Sequence, residues 1–405
     1  MHRSTVSEPG TSVMRNRNLL LILLALGLML PAAAATRKEG DYWVEVKEGA
    51  IPAGTRLRIT SVGPISVQGD SGSDVRYKVT RKLRAAKLEE AERLFEQAPV
   101  AAALQNITAV ISNEGPSCQR CGFSSELEIR APYRTHRAVV DSEEGSLAVR
   151  SLLGRLNANT RAGSITVEKV EGAVRANTSG GNITLTSIGG EILCDTAGGS
   201  ITLEGGRADA TLTTSGGSIS AVNVRGTVRA ETAGGGITAE KISGNLIAGT
   251  SGGTIKINDV GGRVRAESAG GSVNVISAPQ GVRVETAGGK IYLRDVAGAV
   301  MAANATGSIQ VYFLSGRPLG DSVLETNVGS IDVWLPADLK VTIDAIVELA
   351  GNPGRIQSDF SAIRVRRDDD SLGPASVTAA GSLNGGGPML RILNTAGRIK
   401  IRRLE

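Results

Sequence analysis

Three cysteines and two histidines bound the covalent chemistry open to this 405-residue chain. Cys118-Gln119-Arg120-Cys121 is its one local pair of thiols. Such a pair can pin a loop as a disulfide, exchange disulfides from a helix N-terminus, or supply half of a zinc site. Gly115-Pro116-Ser117 does not clearly open a helix, and no second ligand pair follows. A disulfide between Cys118 and Cys121 is therefore expected, provided the chain is exported. Cys194 falls at a small core position and reads as a buried free thiol. His136 has no motif around it, and His2 lies in a leader. No serine elbow or phosphate loop is found, because the Gly-Gly pairs are not followed by helices. No catalytic, metal-ligating or cofactor-binding residue is expected, and no cofactor.

Charge supplies a second candidate. Arg175, Arg229, Arg265 and Arg283 recur at multiples of eighteen residues, and Asp195, Glu231, Glu267 and Glu285 occupy the column two residues further on. Interleaved opposite charges on one face read most simply as solvated and self-paired. The sharper reading makes the four arginines a surface for acidic or mixed-charge polymers. A glycan-cleaving site would need clustered carboxylates on long loops, for which regular turns leave no room. A calcium-binding roll of the same period needs an Asp in each glycine-rich nonapeptide. The matching positions here hold Val, Ser, Thr, Lys or Asn far more often. A Thr/Ser array suited to ordered water begins at Ser164/Thr166 but decays to Thr254/Lys256 and Lys290/Tyr292.

These side chains are positioned by a repeat. A Gly-Ser-Ile-Thr-Val motif places its glycine at Gly145, Gly163, Gly181, Gly199, Gly217, Gly235, Gly253, Gly271, Gly289 and Gly307, always eighteen residues apart. Counting that glycine as offset zero, +2 and +4 are apolar, as at Ile237 and Ala239, or Ile255 and Ile257. Offset +11 is mostly Val, Ile or Leu, and +13 is mostly small, as at Ala176, Ala230 and Ala266. A spacing of two is the strand period. Each repeat therefore carries two short strands, and a second glycine at +9 opens the second of them. Glycine is expected there because tight turns use positive φ. Single repeats bury almost nothing, whereas stacked repeats build one core at about 4.8 Å per layer. Ten turns make a rod of roughly 45–50 Å. Thr at +15, from Thr160 to Thr286, reads as a turn-stabilising ladder, with a ligand-binding hydroxyl row as the alternative.

Composition agrees. Glycine counts 52, roughly twice the usual share of about 7%, and aromatics are 3%, so the core is thin and aliphatic. Glycine shows no three-residue period, which excludes collagen. Only one apolar run approaches spanning length, which excludes a polytopic membrane protein. That run, Leu19 to Leu30, follows Arg15 and Arg17 and precedes Ala33-Ala34-Ala35, so residues 1–35 read as a cleaved signal peptide. Its removal takes three arginines and one glutamate, lowering the net charge of +5 by two. Near-balanced, scattered charge on an exported chain argues against nucleic acid.

Outside the repeat, Thr55–Ser61, Ile65–Gln68, Val75–Arg81 and Leu127–Arg130 read as strands and Arg84–Gln97 as a helix. They make residues 36–140 an N-terminal cap for the open strand edge. The regular solenoid spans 141–316. After Gly307 the spacing breaks, and 317–405 reads as irregular turns and a C-terminal cap, with Arg366–Asp370 a charged loop. The Thr-Ala/Ser-Gly-Gly-Ser-Ile repeats, Leu88-Glu89-Glu90-Ala91-Glu92, Val333-Trp334-Leu335-Pro336 and the ending from Gly385-Gly386-Gly387-Pro388 to Ile399 carry a resemblance. Over most of residues 55–403 the chain resembles the bacterial putative-adhesin family of exported β-strand-repeat proteins of unknown function. The resemblance implies a β-solenoid and an envelope location, and no activity.

The expected fold is thus all-β: a parallel β-solenoid with eighteen residues and two short strands per turn, a small α+β N-terminal cap and irregular C-terminal turns. Its right-handedness rests on the general preference of parallel crossovers. The expected function is a non-enzymatic, adhesin-like binding or structural scaffold in the periplasm, on the outer surface or secreted. Its partner would be an envelope glycan or protein, with no nucleic acid and no transmembrane segment after cleavage. The alternative is a carbohydrate-active enzyme with its site at 317–395. An accessory protein signalling through a membrane partner has no direct support in the residues.

Overall fold

The computed structural model describes residues 35–118, 121–348, 355–368 and 376–404. The leader, apart from Ala35, lies outside them, as do Gln119, Arg120, Gly354, Asp369 and Asp370. Among the described residues the chain forms 34 strands and one helix, arranged as an open, mostly parallel solenoid-like sheet. No helix among them is long and apolar enough to cross a membrane.

In the regular section each strand pairs in parallel with the next strand but one. Leu147–Leu152 pairs with Ile165–Val170, placing Leu147 opposite Ile165. Arg155–Thr160 pairs with Val174–Thr178, placing Leu156 opposite Val174. Two ladders result, and their inward side chains meet in one continuous aliphatic core. Ile237 sits between Ile219 and Ile255 and is 1% exposed.

Offsets +2, +4, +11, +13 and +15 point inward, as the periodicity predicts. The structure adds a sixth inward position at +7, filled by Leu152, Val170, Ile188, Val224, Ile242, Val260 and Val296. Strict alternation would put +7 outside. The residue before it changes the parity: Ser151, Lys169, Ser187, Asn223, Lys241, Asp259, Ser277 and Asp295 all have φ of 55–60°. One left-handed residue per turn acts like a bulge, leaving +5 and +6 outward and returning +7 to the core.

The expected role of glycine is corrected here. Among the repeat glycines at offset zero, only Gly307 has a positive φ. The others are required by close approach. A Cβ on Gly217 would lie 2.1 Å from the Gly199 carbonyl oxygen, and one on Gly253 2.0 Å from that of Gly235. The left-handed conformation is instead carried mainly by Ser, Lys, Asn and Asp at +6.

The threonines at +15 are occupied with backbone. Thr232 Oγ1 donates to the Gly217 carbonyl at 2.8 Å and accepts from the Gly235 amide at 3.2 Å. Thr178, Thr250 and Thr286 do the same. Asn304 and Asn394 continue the ladder through side-chain amides donated to Gly289 and Gly329. Each link satisfies a buried carbonyl that would otherwise lack a partner.

Stacking extends beyond the regular register. Arg56–Ser61 lies between Thr108–Asn113 and Arg137–Ser142, and Ile65–Asp70 between Ser124–Pro132 and Leu147–Leu152. Residues 56–70 thus form a layer of the same stack. Antiparallel Tyr42–Pro52 and Asp74–Leu83 flank it. The helix is shorter than expected, Leu88–Glu96, and buries Ala91 and Phe95 against Leu83 and Cys121. Arg81, fully buried beside it, is held by Glu45 and by the Ala98 carbonyl. At the other end Ile309 stacks on Ile331 and Ile331 on Ile399, so Gly329 and Gly397 continue the glycine column. Arg364–Asp368 is a strand antiparallel to Ser376–Leu383, which corrects the charged loop expected from Arg366 onward.

Candidate functional site

Cys118 and Cys121 have Cα atoms 5.7 Å apart and are joined as a disulfide. They pack beside the helix with Trp43, Leu94 and Phe123, a structural setting. Cys194 is fully buried. Burial, with the neighbouring Asp195 charge, holds its thiol far above the ordinary range. The native chain is therefore expected to resist iodoacetamide at Cys194 and to react only on unfolding. The raised folded value has a defined sign. Its stabilising contribution is complete below the unfolded thiol value of about 8.5 and declines as pH rises beyond it. Urea melts should show wild type losing up to about 1.4 kcal/mol per pH unit there relative to Cys194→Ala. Equal pH slopes for the two proteins would contradict the buried neutral thiol.

The arginine column is exposed, and three of its four members are paired along their own strand. Arg265 reaches Glu267 at 2.5 Å, Arg283 reaches Glu285 at 2.6 Å, and Arg229 contacts Glu231. Arg175 is exposed and meets no ion-pair partner among the described residues. The glutamates align in register with Gly249, Ala303 and Glu325. They line one wall of an open groove of about 700 Å³. Toward the N-terminal end the column becomes an amide ladder, with Asn177 donating to Asn159 and Asn159 to Asp141. Internal pairing leaves little net charge here for a polymer to read.

The other ladder presents a different surface near its C-terminal end. One outward column runs Arg294, Tyr312, Trp334, Arg402, and its neighbour runs Lys256, Asn274, Tyr292, Gln310, Asp332, Lys400. The Tyr312 and Trp334 rings stack with centroids 4.0 Å apart and planes 7° from parallel. Tyr292 leans on Tyr312 at 5.7 Å, and the Arg402 guanidinium lies 5.4 Å from the Trp334 centroid. The stacked faces are covered by one another. Exposed ring edges carry the positive side of the aromatic quadrupole. Burial is the main cause that pushes the Tyr312 hydroxyl pKa up, followed by Tyr292, while Arg294 and Arg402 pull it down and Asp332 adds to the rise. It remains a hydrogen-bond donor at neutral pH.

Around this stack Lys256, Lys290, Arg355, Arg398, Lys400 and Arg402 have no ion-pair partner among the described residues. Two shallow depressions lie among Arg355, Gln357, Arg398, Lys400 and Arg402, with Asp359 as the carboxylate at their edge. Asp332 is 7% exposed, and no donor among the described residues reaches its Oδ1 or that of Asn274.

The periodic reading missed this face because the eighteen-residue count stops at Gly307. Restarting the count at Gly329 puts Trp334 at +5, directly after Arg294 and Tyr312, and a third start at Gly397 adds Arg402.

No family model and no curated protein matches the chain. Solved structures with which it aligns are described as putative adhesins or cell adhesion proteins, and one as a putative lipid binding protein. The adhesin from Parabacteroides distasonis is 11% identical, covers 72% of this chain and 96% of that chain, and has a TM-score of 0.30. The lipid binding protein, from the same organism, is 14% identical over 72% and 96%, with a TM-score of 0.27. A cell adhesion protein from Clostridium sporogenes is 8% identical over 89% and 100%, with a TM-score of 0.18. Scores this low transfer neither ligand nor activity to this chain.

Proposed function

We propose that the chain is an exported, non-enzymatic binding scaffold of the cell envelope. In this reading it is a right-handed solenoid of eighteen-residue turns, with 36–140 and 317–405 closing its ends. The observation that carries the reading is the unequal use of charge on two outward faces. One face zips three of its four column arginines to its own glutamates, and the other leaves six cations without ion-pair partners on the face that carries an aromatic stack. Unpaired charge on a rigid ladder costs little in water and is available to a partner. Arginine pairing of three groove glutamates, and the basic character of the depressions within 317–395 and 397–402, both favour binding over the acid–base enzyme considered as the alternative.

Fractionation of expressing cells, followed by sedimentation of the purified chain with isolated envelope material, tests this. The chain is expected in the envelope or extracellular fraction and should co-sediment saturably at low salt. Residence in the cytoplasmic fraction, or recovery wholly in the supernatant, would overturn the proposal.

A further inference from the structure

We infer that the face built on Tyr292, Tyr312, Trp334, Lys400 and Arg402 binds an acidic polysaccharide, a chain of uronate-type sugars carrying carboxylates and hydroxyls. The inference rests on the binding-scaffold reading and names its ligand class.

Charge complementarity comes first. Six cations without ion-pair partners lie on this face, and its carboxylates are buried Asp332, edge-lying Asp359, Asp259 on the strand of Lys256, and Asp295, which is paired with Arg294. Donor chemistry is the second argument. Tyr292 Oη, Tyr312 Oη and Trp334 Nε1 have no hydrogen-bond partner among the described residues. Together with the lysines and guanidinia they make an almost purely donating surface, which suits carboxylate and ring oxygens. The third argument separates sugar from other polyanions. In the column between Tyr292 and Asp332, the half-buried Gln310 side-chain amide has no hydrogen-bond partner among the described residues. A sugar hydroxyl can donate to its carbonyl oxygen, whereas a polyphosphate offers acceptors alone. Repetition fits as well, because strand neighbours step by about 4.8 Å along the rod, close to the length of one hexose unit in an extended chain.

Other polyanions suit the face less well. The Tyr312 and Trp334 ring faces are closed against each other and against Arg402, so bases of a single strand find no free stacking platform there. An anionic membrane would be met by ring edges and cations, with no large exposed aliphatic side chain among the named residues to enter it.

The test uses the full chain carrying Trp43→Phe, which leaves Trp334 as its single tryptophan. Its fluorescence is titrated with oligogalacturonate, dextran oligomers, polyglutamate and oligo-dT. Oligogalacturonate should bind saturably and shift Trp334 emission, and the affinity should fall as salt rises from about 0.05 to 0.5 M. Dextran should not bind, and polyglutamate and oligo-dT should bind at least about tenfold more weakly. Lys400→Gln with Arg402→Gln should weaken oligogalacturonate about tenfold, while Arg265→Gln on the opposite face should leave it unchanged. Tyr312→Phe removes one donor with little change in packing and should weaken binding several-fold without lowering the melting temperature. Equal binding of polyglutamate or oligo-dT, binding of dextran, or indifference to the Lys400/Arg402 pair would overturn the inference. Envelope co-sedimentation that persists without oligogalacturonate binding would sink the ligand class and leave the scaffold reading standing. Loss of both would sink the two together.

Discussion

Ile237→Asp is expected to lower the stability of the middle of the rod by about 4 kcal/mol or more, because it puts an unpaired carboxylate into a dry aliphatic column. Ile219 and Ile255 lie directly above and below, and nothing in that column can accept or neutralise the charge. The adjacent Thr238 is exposed between Ser220 and Lys256. Thr238→Asp should change stability by no more than about 0.5 kcal/mol. Because neighbouring layers supply each other's core, the damage should spread outward from the substituted turn. Thermal melts of both variants, with amide exchange resolved along 200–290, check this. Equal losses would mean that the inward and outward columns are misassigned.

The second large effect concerns space between layers. Gly253→Ala places a Cβ 2.0 Å from the Gly235 carbonyl oxygen and 2.4 Å from its carbon. Both atoms are backbone held by the parallel ladder, so neither can swing aside. A destabilisation of about 3 kcal/mol or more is expected. Gly252 is the internal control: its Cβ would meet the Gly234 oxygen at 3.6 Å, an ordinary contact. Gly252→Ala should therefore stay within about 0.5 kcal/mol of wild type. Chemical denaturation of the two single variants reads the difference directly. A tolerated Gly253→Ala would show that layers at this column can move apart.

Much of the rod is legible in the residues, for a physical reason. Parallel stacking puts identical offsets in contact, so every constraint on one turn is repeated in the next. Ile at +2 recurs eight times, Thr at +15 seven times and Ala at +13 six times. What escapes the period is local or long-range. The inward residues at +7 are hidden because Ser151 and its equivalents adopt positive φ with side chains that do not advertise it. The glycine column is plain, but its cause is close approach between layers, which requires the neighbouring turn to be in view. The layer formed by 56–70 is concealed by the elements inserted before Arg137. The stacking of Ile399 on Ile331 is concealed by the long excursion between them.

The candidate site was harder to foresee for the same reason. The regular turns made Arg229, Arg265 and Arg283 conspicuous, yet a repeated arginine beside a repeated glutamate is satisfied by its own strand. Tyr292, Tyr312 and Trp334 come together only where the repeat is interrupted. The excursions that lengthen the last turns also deliver Lys400 and Arg402 to the aromatic stack. The proposed site thus lies where strict periodicity is relaxed, and the regular turns provide the length that carries it.

The two outward faces are expected to contribute unequally to binding, and charge reversal on each of them separates their contributions. Retention on isolated envelope material would be measured for wild type, for Lys400→Glu with Arg402→Glu, and for Arg265→Glu with Arg283→Glu. All three chains should first be shown to melt cooperatively at similar temperatures. Unequal use of the two faces predicts that reversing Lys400 and Arg402 weakens retention about tenfold or more, and that reversing the arginines of the paired column changes it little. Retention lost equally from both faces, or from the paired column alone, would contradict it.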